Sequence, residues 1–393
     1  MFTRILVFTA FSMACLALGN HLVLCDKFPD IQSDTSEILS MLKNFKGSRN
    51  HVTSPEQKEA ARDYIMKSFK DYGLHVWIEK AMIGNTLQAE NIVGMIRSYR
   101  TGTANDKIVI VGAHYDTVEN TTGVDDNGSG VTALLQVAKN IGEAKCEVNN
   151  TILFVAFDFE EWTDECNISW PIACGSKEYV KNISSYLKKT GGTIGGAIIL
   201  ETMLNHNSSE GSQKFPPQFD QVLPKTYDDV KSDSFRGNFL AVIARKESDR
   251  KIFSLITKYF SNDSNYRAQL MAIPIQGRPS LSPLYFYYEQ LYRSDHYSFW
   301  DTDASYSALM LGDTANFRGY MRRCYHKECD DLSLVKDDDL QFAQRSMNAV
   351  FKTVLDLSQA SQDSCKLVKS FGEQSVSINL FLMLLSLTGI FLF

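Results

Sequence analysis

A histidine and three carboxylates crowd one short stretch of this chain. His114 and Asp116 lie in Ala-His-Tyr-Asp-Thr-Val (113–118), and Asp125 and Asp126 in Gly-Val-Asp-Asp-Asn-Gly-Ser-Gly (123–130). The residues just before, 107–112, are rich in Ile and Val and read as a strand. A strand so apolar is buried on both faces of a mainly parallel sheet. Such sheets carry their chemistry beyond the carboxyl ends of the strands. Unpaired charge is costly to bury there, and a divalent cation is the simplest compensation.

The pattern repeats further along. The apolar run 151–157 ends in Asp158-Phe159-Glu160-Glu161-Trp162, the run 196–200 ends in Glu201, and the run 306–311 leads to an Arg-rich loop that carries His326. Zinc takes imidazole and carboxylate ligands and, in a catalytic site, keeps a position for water. Two ions held by one bridging carboxylate can polarise a water and a substrate carbonyl together. Asp125 is the expected bridge, because its glycine-flanked loop lets the backbone approach closely. His114 and Glu201 then complete one ion, and Glu161 and His326 the other. Neighbouring extended residues point in opposite directions, so Glu160 faces the water as general base when Glu161 binds metal. Asp116, two residues after His114, is placed to orient that imidazole. Asp126, and Asp295 and His296 from Ser-Asp-His-Tyr-Ser-Phe-Trp (294–300), are supporting residues. His51, His75 and His206 read as surface or satisfied core. Asp125-Asp126 also fits a turn or a calcium loop, although the alternating acids of an EF-hand are missing.

These groups need a scaffold. Ser54-Pro55-Glu56 is a capped helix start with proline at the first helical position, and apolar residues at helical spacing follow as far as Gly73. Residues 75–78, 90–96, 107–112, 151–157, 196–200, 239–243, 270–275 and 306–311 read as strands. Residues 129–141, 176–187, 250–260 and 338–358 read as helices. Strands and helices alternate, so the expected fold is α/β: a three-layer sandwich with a mixed, mainly parallel central sheet flanked by helices. The polar stretch 205–233 reads as a surface loop. There is no internal repeat, and 20–362 reads as a single catalytic domain.

The 393 residues carry a net charge of -6 and no basic stripe with interleaved aromatics, which excludes a nucleic-acid partner. Residues 1–19 have the layout of a secretory signal: Arg4, an apolar core over 5–18 and small residues at 17–19. Residues 363–393 combine small polar residues with an uncharged apolar tail over 378–393, the layout of a removable GPI-attachment signal. A tail-anchored span or an amphipathic end of the fold are the alternatives. The expected location is therefore secreted or at the cell surface, with membrane attachment through a lipid anchor. Eight cysteines suit an oxidising compartment. Cys166 with Cys174, and Cys324 with Cys329 around His326, are proposed as local disulfides; Cys146 and Cys365 are candidates for a third. Asn120, Asn149, Asn167, Asn182, Asn207 and Asn262 each open a glycosylation triplet.

Taken together, AHYDTV, GVDDNGSGV, VAFDFEEW, the strand-end acid of ILETM, SDHYSFW and a late YH resemble the co-catalytic zinc aminopeptidases, over about residues 54–358. That superfamily includes bacterial leucyl aminopeptidase, glutamate carboxypeptidase and glutaminyl cyclase. The resemblance implies two zinc ions per chain, with His114, Asp125, Glu161, Glu201 and His326 as ligands and Glu160 as general base. It also implies a cis peptide between Asp125 and Asp126. Departures are Glu201 where many members have Asp, a longer loop after Glu161, and Lys327 where threonine is usual. The expected function is a zinc exopeptidase acting on peptides, foremost an aminopeptidase. The alternatives are a glutaminyl cyclase, a carboxypeptidase with Arg318, Arg322 or Arg323 on the substrate carboxylate, and a receptor ectodomain without activity. Oligomeric state and side-chain preference are left open.

Overall fold

The computed structural model describes residue 28 and residues 34–163, 166, 173–261, 266–361 and 364–365. The expected leader at 1–19, the apolar tail at 378–393 and the triplets at Asn167 and Asn262 lie outside the described residues. Among the described residues no helix is long and apolar enough to cross a membrane.

Eight strands form one sheet: β1 (His75–Ile83), β2 (Leu87–Ile96), β3 (Lys107–His114), β4 (Ile152–Phe157), β5 (Thr193–Glu201), β6 (Phe239–Arg245), β7 (Arg267–Ile273) and β8 (Ala308–Gly312). Their order is β1-β2-β4-β3-β5-β8-β6-β7. The central four, β4, β3, β5 and β8, are mutually parallel. β2 joins β4, and β6 joins β8, in antiparallel pairs. The sheet is thus mixed with a parallel centre, as expected. All four central strands end along one rim, which is where the sequence concentrates its acids and histidines.

Alternation along the strands builds two cores. In β3, Val109, Val111 and Ala113 pack on one face and Ile108 and Ile110 on the other; in β4, Phe154 and Ala156 oppose Val155 and Phe157. One face is covered by α1 (Thr35–Leu42), α2 (Pro55–Asp71), α3 (Gly130–Ala144), α5 (Arg250–Phe260) and α6 (Asp337–Leu357). The other is covered by α4 (Cys174–Thr190) with the short turns Phe219–Val222 and His296–Trp300. Central strands buried on both sides need no polar residue until they leave the core, so they read as unbroken apolar runs.

Two segments differ from the expectation. α1 was not expected, although Asp34 caps it by accepting from the Glu37 N–H at 2.8 Å. The stretch 205–233 holds two helices, Phe219–Val222 and Pro224–Ser232, the second started by its proline. The three proposed disulfides, Cys146–Cys365, Cys166–Cys174 and Cys324–Cys329, are all formed.

Candidate metal centre

β3 delivers His114 as its last residue, and the chain then turns away under the control of a buried cation. Arg49 donates to the carbonyls of Tyr115 (2.7 Å), Phe45 (2.7 Å), Thr122 (3.2 Å) and Gly123 (2.7 Å), so one guanidinium ties down the whole 115–123 loop. Gly123 sits at φ 60, where a side chain would be strained and a Cβ would lie 2.6 Å from the Asp126 carbonyl. Next comes a buried acidic turn, Val124–Ser129, in which the peptide Asp126–Asn127 is cis. The expected cis position was one residue earlier.

The acidic turn is clasped to the loop that carries His326. Asp330 accepts from the N–H groups of Asp125 (2.8 Å) and Asp126 (3.0 Å), and its carbonyl accepts from Val124 N–H (3.1 Å). Thr121 Oγ1 donates to the Lys327 carbonyl at 2.9 Å. The Cys324–Cys329 bond closes the same loop around His326. Beyond β4, Phe159 takes φ 50 and turns the backbone, and Asp116 receives the N–H groups of Glu160 (3.2 Å) and Glu161 (3.1 Å) on its two oxygens. Asp116 therefore holds the Glu pair as well as facing His114 Nδ1 at 3.4 Å.

The side chains converge in two groups that share one residue. His114 Nε2 lies 3.4 Å from Asp126 Oδ1 and 3.3 Å from Glu201 Oε2. His326 Nε2 lies 3.1 Å from Asp126 Oδ2 and 3.4 Å from Glu161 Oε1. Each set offers donor atoms within 4.8 Å of one another, as does the set His114, Glu160 and Glu161. Asp126 thus presents one oxygen to each histidine, which is the arrangement expected of a bridge. Asp125 does not: its Oδ1 takes the Ser129 hydroxyl (3.1 Å) and the Leu204 N–H (3.2 Å), and its carboxyl sits against Asp313 behind the site. The geometry moves the bridging position by one residue. In an irregular turn, consecutive side chains follow no fixed alternation, so spacing alone could not choose between the two aspartates.

Electrostatics favour positive charge at this cluster. Burial alone would lower the His114 pKa, yet Glu201 and Glu160 raise it well above the usual histidine range. His326, against the same effect of burial, is pushed up to about 11 by Glu161 and Asp126. Burial pushes the Glu160 carboxyl well up, and Glu161 and Glu201 add to the rise against the pull of His114. Asp126 is held down by the two imidazoles despite its burial. Such shifts say that positive charge is stabilised here. His114 Nδ1 and Nε2, Asp126 Oδ2 and His326 Nε2 are buried without a hydrogen bond. Orphaned nitrogen and oxygen donors facing one another fit divalent metal better than any internal pairing.

The supporting residues divide. Asp295 is fully buried beside the cluster; burial pushes its carboxyl up to about 7 against the pull of His114. His296 is turned away: Nε2 meets the Leu291 carbonyl at 2.9 Å, and the ring stands edge-on to Trp300. Burial lowers its pKa to about 4. Its place is in the core, because the turn His296–Trp300 buries consecutive aromatics rather than facing the rim. Of the arginines offered for a substrate carboxylate, Arg318 is buried and donates to Gln213 Oε1 and the Phe239 carbonyl, while Arg322 and Arg323 are exposed. Sequence reasoning missed Arg49, Asp330 and Ser294, whose hydroxyl donates to Glu201 Oε2 at 2.8 Å. Asp330 follows His326 by four residues and was legible only as one more acid.

Residues 91–351 match the sequence profile described as Peptidase family M28. The chain is 26% identical over 231 residues to the Uncharacterized protein YfbL of Escherichia coli, a match covering 55% of this chain and 58% of that protein. It is 45% identical over 56 residues to Aminopeptidase Y of Saccharomyces cerevisiae, covering 14% of this chain and 10% of that protein. These matches span less than two thirds of the length of either relative. Among solved structures, LapB from Legionella pneumophila superposes with a TM-score of 0.57 at 16% identity, covering 83% of this chain and 73% of LapB. That likeness establishes the α/β architecture.

Proposed function

Because the chain belongs to peptidase family M28, we propose that it is a metal-dependent exopeptidase, an aminopeptidase, and that its centre holds two zinc ions. The observation that carries this is the placement of Asp126, one oxygen toward His114 and the other toward His326. His114, Asp126 and Glu201 would hold one ion, and Asp126, Glu161 and His326 the other. When bound, the pair would acidify a water and polarise the scissile carbonyl. The protein's own contribution starts with Glu160. Its carboxylate takes a proton from the attacking water and passes it to the departing amine. Asp116 fixes the rotation of His114 and the backbone of the Glu160–Glu161 pair together. Ser294 steadies Glu201. Secretion by the leader at 1–19 and lipid anchoring through 363–393 complete the proposal.

Mass-spectrometric digestion of a peptide library by the purified protein, with and without o-phenanthroline, tests it. Stepwise loss of N-terminal residues that the chelator abolishes is the expected result. Loss from the C-terminus would make the chain a carboxypeptidase. One tightly held zinc per chain, with pyroglutamate formed from N-terminal glutamine, would make it a cyclase. No turnover of any peptide with zinc supplied would end the reading.

The clasp gives a graded prediction. Asp330→Ala removes the acceptor of two backbone N–H groups in the acidic turn. Zinc affinity should fall about 10- to 100-fold, as it does when residues behind metal ligands are lost. Competition with a chromophoric chelator measures this; an unchanged affinity would show that the turn holds itself.

A further inference from the structure

The cavity that opens on Asp126, Glu160 and Glu201 is lined further out by apolar side chains, among them Phe215, Phe219, Met271 and Phe317. One cation lines it: Arg293. The guanidinium is half-buried, and among the described residues no carboxylate lies within ion-pairing distance of it. Its hydrogen bonds go to neutral oxygens, Nη1 to Asn316 Oδ1 at 3.3 Å and Nη2 to the Tyr325 hydroxyl at 3.1 Å, with its carbon 5.7 Å from the Tyr325 ring centre. Elsewhere in this fold a buried arginine is matched to an acid, as Arg245 is to Asp249 at 2.9 Å, or is bound on several sides by carbonyls, as Arg49 is. Arg293 has neither arrangement. Its two neutral partners fix the plane of the fork, while Glu160 and Asp126 stabilise its charge from beyond ion-pair contact and leave the fork without a carboxylate directly on it.

A guanidinium held in this way is preorganised for a carboxylate, which it binds in the plane of its parallel N–H groups. We infer that Arg293 is a specificity-determining residue that binds a carboxylate of the substrate. The substrate class is peptides with a carboxylate close to the scissile bond. That carboxylate is either the C-terminus of a dipeptide or the side chain of an adjacent Asp or Glu. The inference rests on the peptidase reading of the same site. The three arginines first considered for this role are structural or exposed; Arg293 is the one that reaches the cavity.

The test separates binding from turnover. Calorimetry on the zinc-loaded Glu160→Gln protein compares Leu-Gly with Leu-Gly-amide, and Leu-Glu-amide with Leu-Gln-amide. At least one carboxylate ligand should bind about 10- to 100-fold more tightly than its neutral partner, the range of a hydrogen bond to a charged group. The first pair reports a C-terminal carboxylate and the second an acidic side chain. In Glu160→Gln with Arg293→Gln the members of that pair should bind alike. Arg293→Lys, which keeps the charge and loses the fork, should restore part of the difference. Equal binding within both pairs, or a preference that survives Arg293→Gln, overturns the inference. Hydrolysis by the wild-type protein reports separately on the peptidase reading. Cleavage without carboxylate preference retains that reading and removes this one; preference without cleavage does the reverse.

Discussion

Replacing Glu160 by Gln is expected to cost about two to four orders of magnitude in turnover while leaving the bound metal in place. The geometry sets up this separation of effects. Glu160 Oε2 stands 4.0 Å from His114 Nε2, farther than the oxygens of Asp126 and Glu201 do. Its backbone is fixed by Asp116 while its side chain faces the cavity. Gln keeps the shape and the backbone bond to Asp116 but cannot hold a proton in transit. Metal analysis beside kinetics on one N-terminal substrate decides the matter. If metal is lost in step with activity, Glu160 is a ligand, as the His114–Glu160–Glu161 grouping would also permit. If activity persists, the proton is carried by another group.

The adjacent aspartates should behave in opposite ways. Among the described residues Asp126 is the one carboxylate within 3.5 Å of both imidazoles, so with Asp126→Ala both ions should be lost and activity should fall at least as far as for Glu160→Gln. Asp125→Asn should keep its metal. Its carboxyl is hydrogen-bonded to Ser129 and Leu204 behind the turn, and the amide retains an acceptor. Its cost should appear as about 1–3 kcal/mol of stability, the penalty for a disturbed buried polar group. Metal content per chain and a denaturant titration read the two effects. The reverse result, with Asp125→Asn losing metal and Asp126→Ala retaining it, would return the bridge to Asp125.

These two residues also mark where the sequence stopped being legible. The central strands were visible because a strand buried on both faces carries almost nothing polar, so the chemistry begins where the apolar run ends. That rule located His114, Glu160–Glu161 and Glu201 directly from their neighbours. It fails inside the Val124–Ser129 turn, where no period relates one side chain to the next. His326 was legible as the histidine of the loop that follows the apolar run 306–311, and the three disulfide pairings were correct. His296 was misplaced because its motif sits in a helical turn, whose ring points to Trp300. Arg49, Asp330 and Arg293 gave no signal, since each acts across the fold on backbone groups or on the cavity, and neither composition nor spacing records such contacts.

The donors of this centre are gathered from five separate segments, with the first and last more than two hundred residues apart in sequence. A nascent chain has no such pocket until translation has passed His326 and β8 has joined β5. On the proposed function, the second set of donors exists only once His326 is in place, so a pair of zinc ions would bind only the finished molecule and would draw the folding equilibrium toward it by mass action.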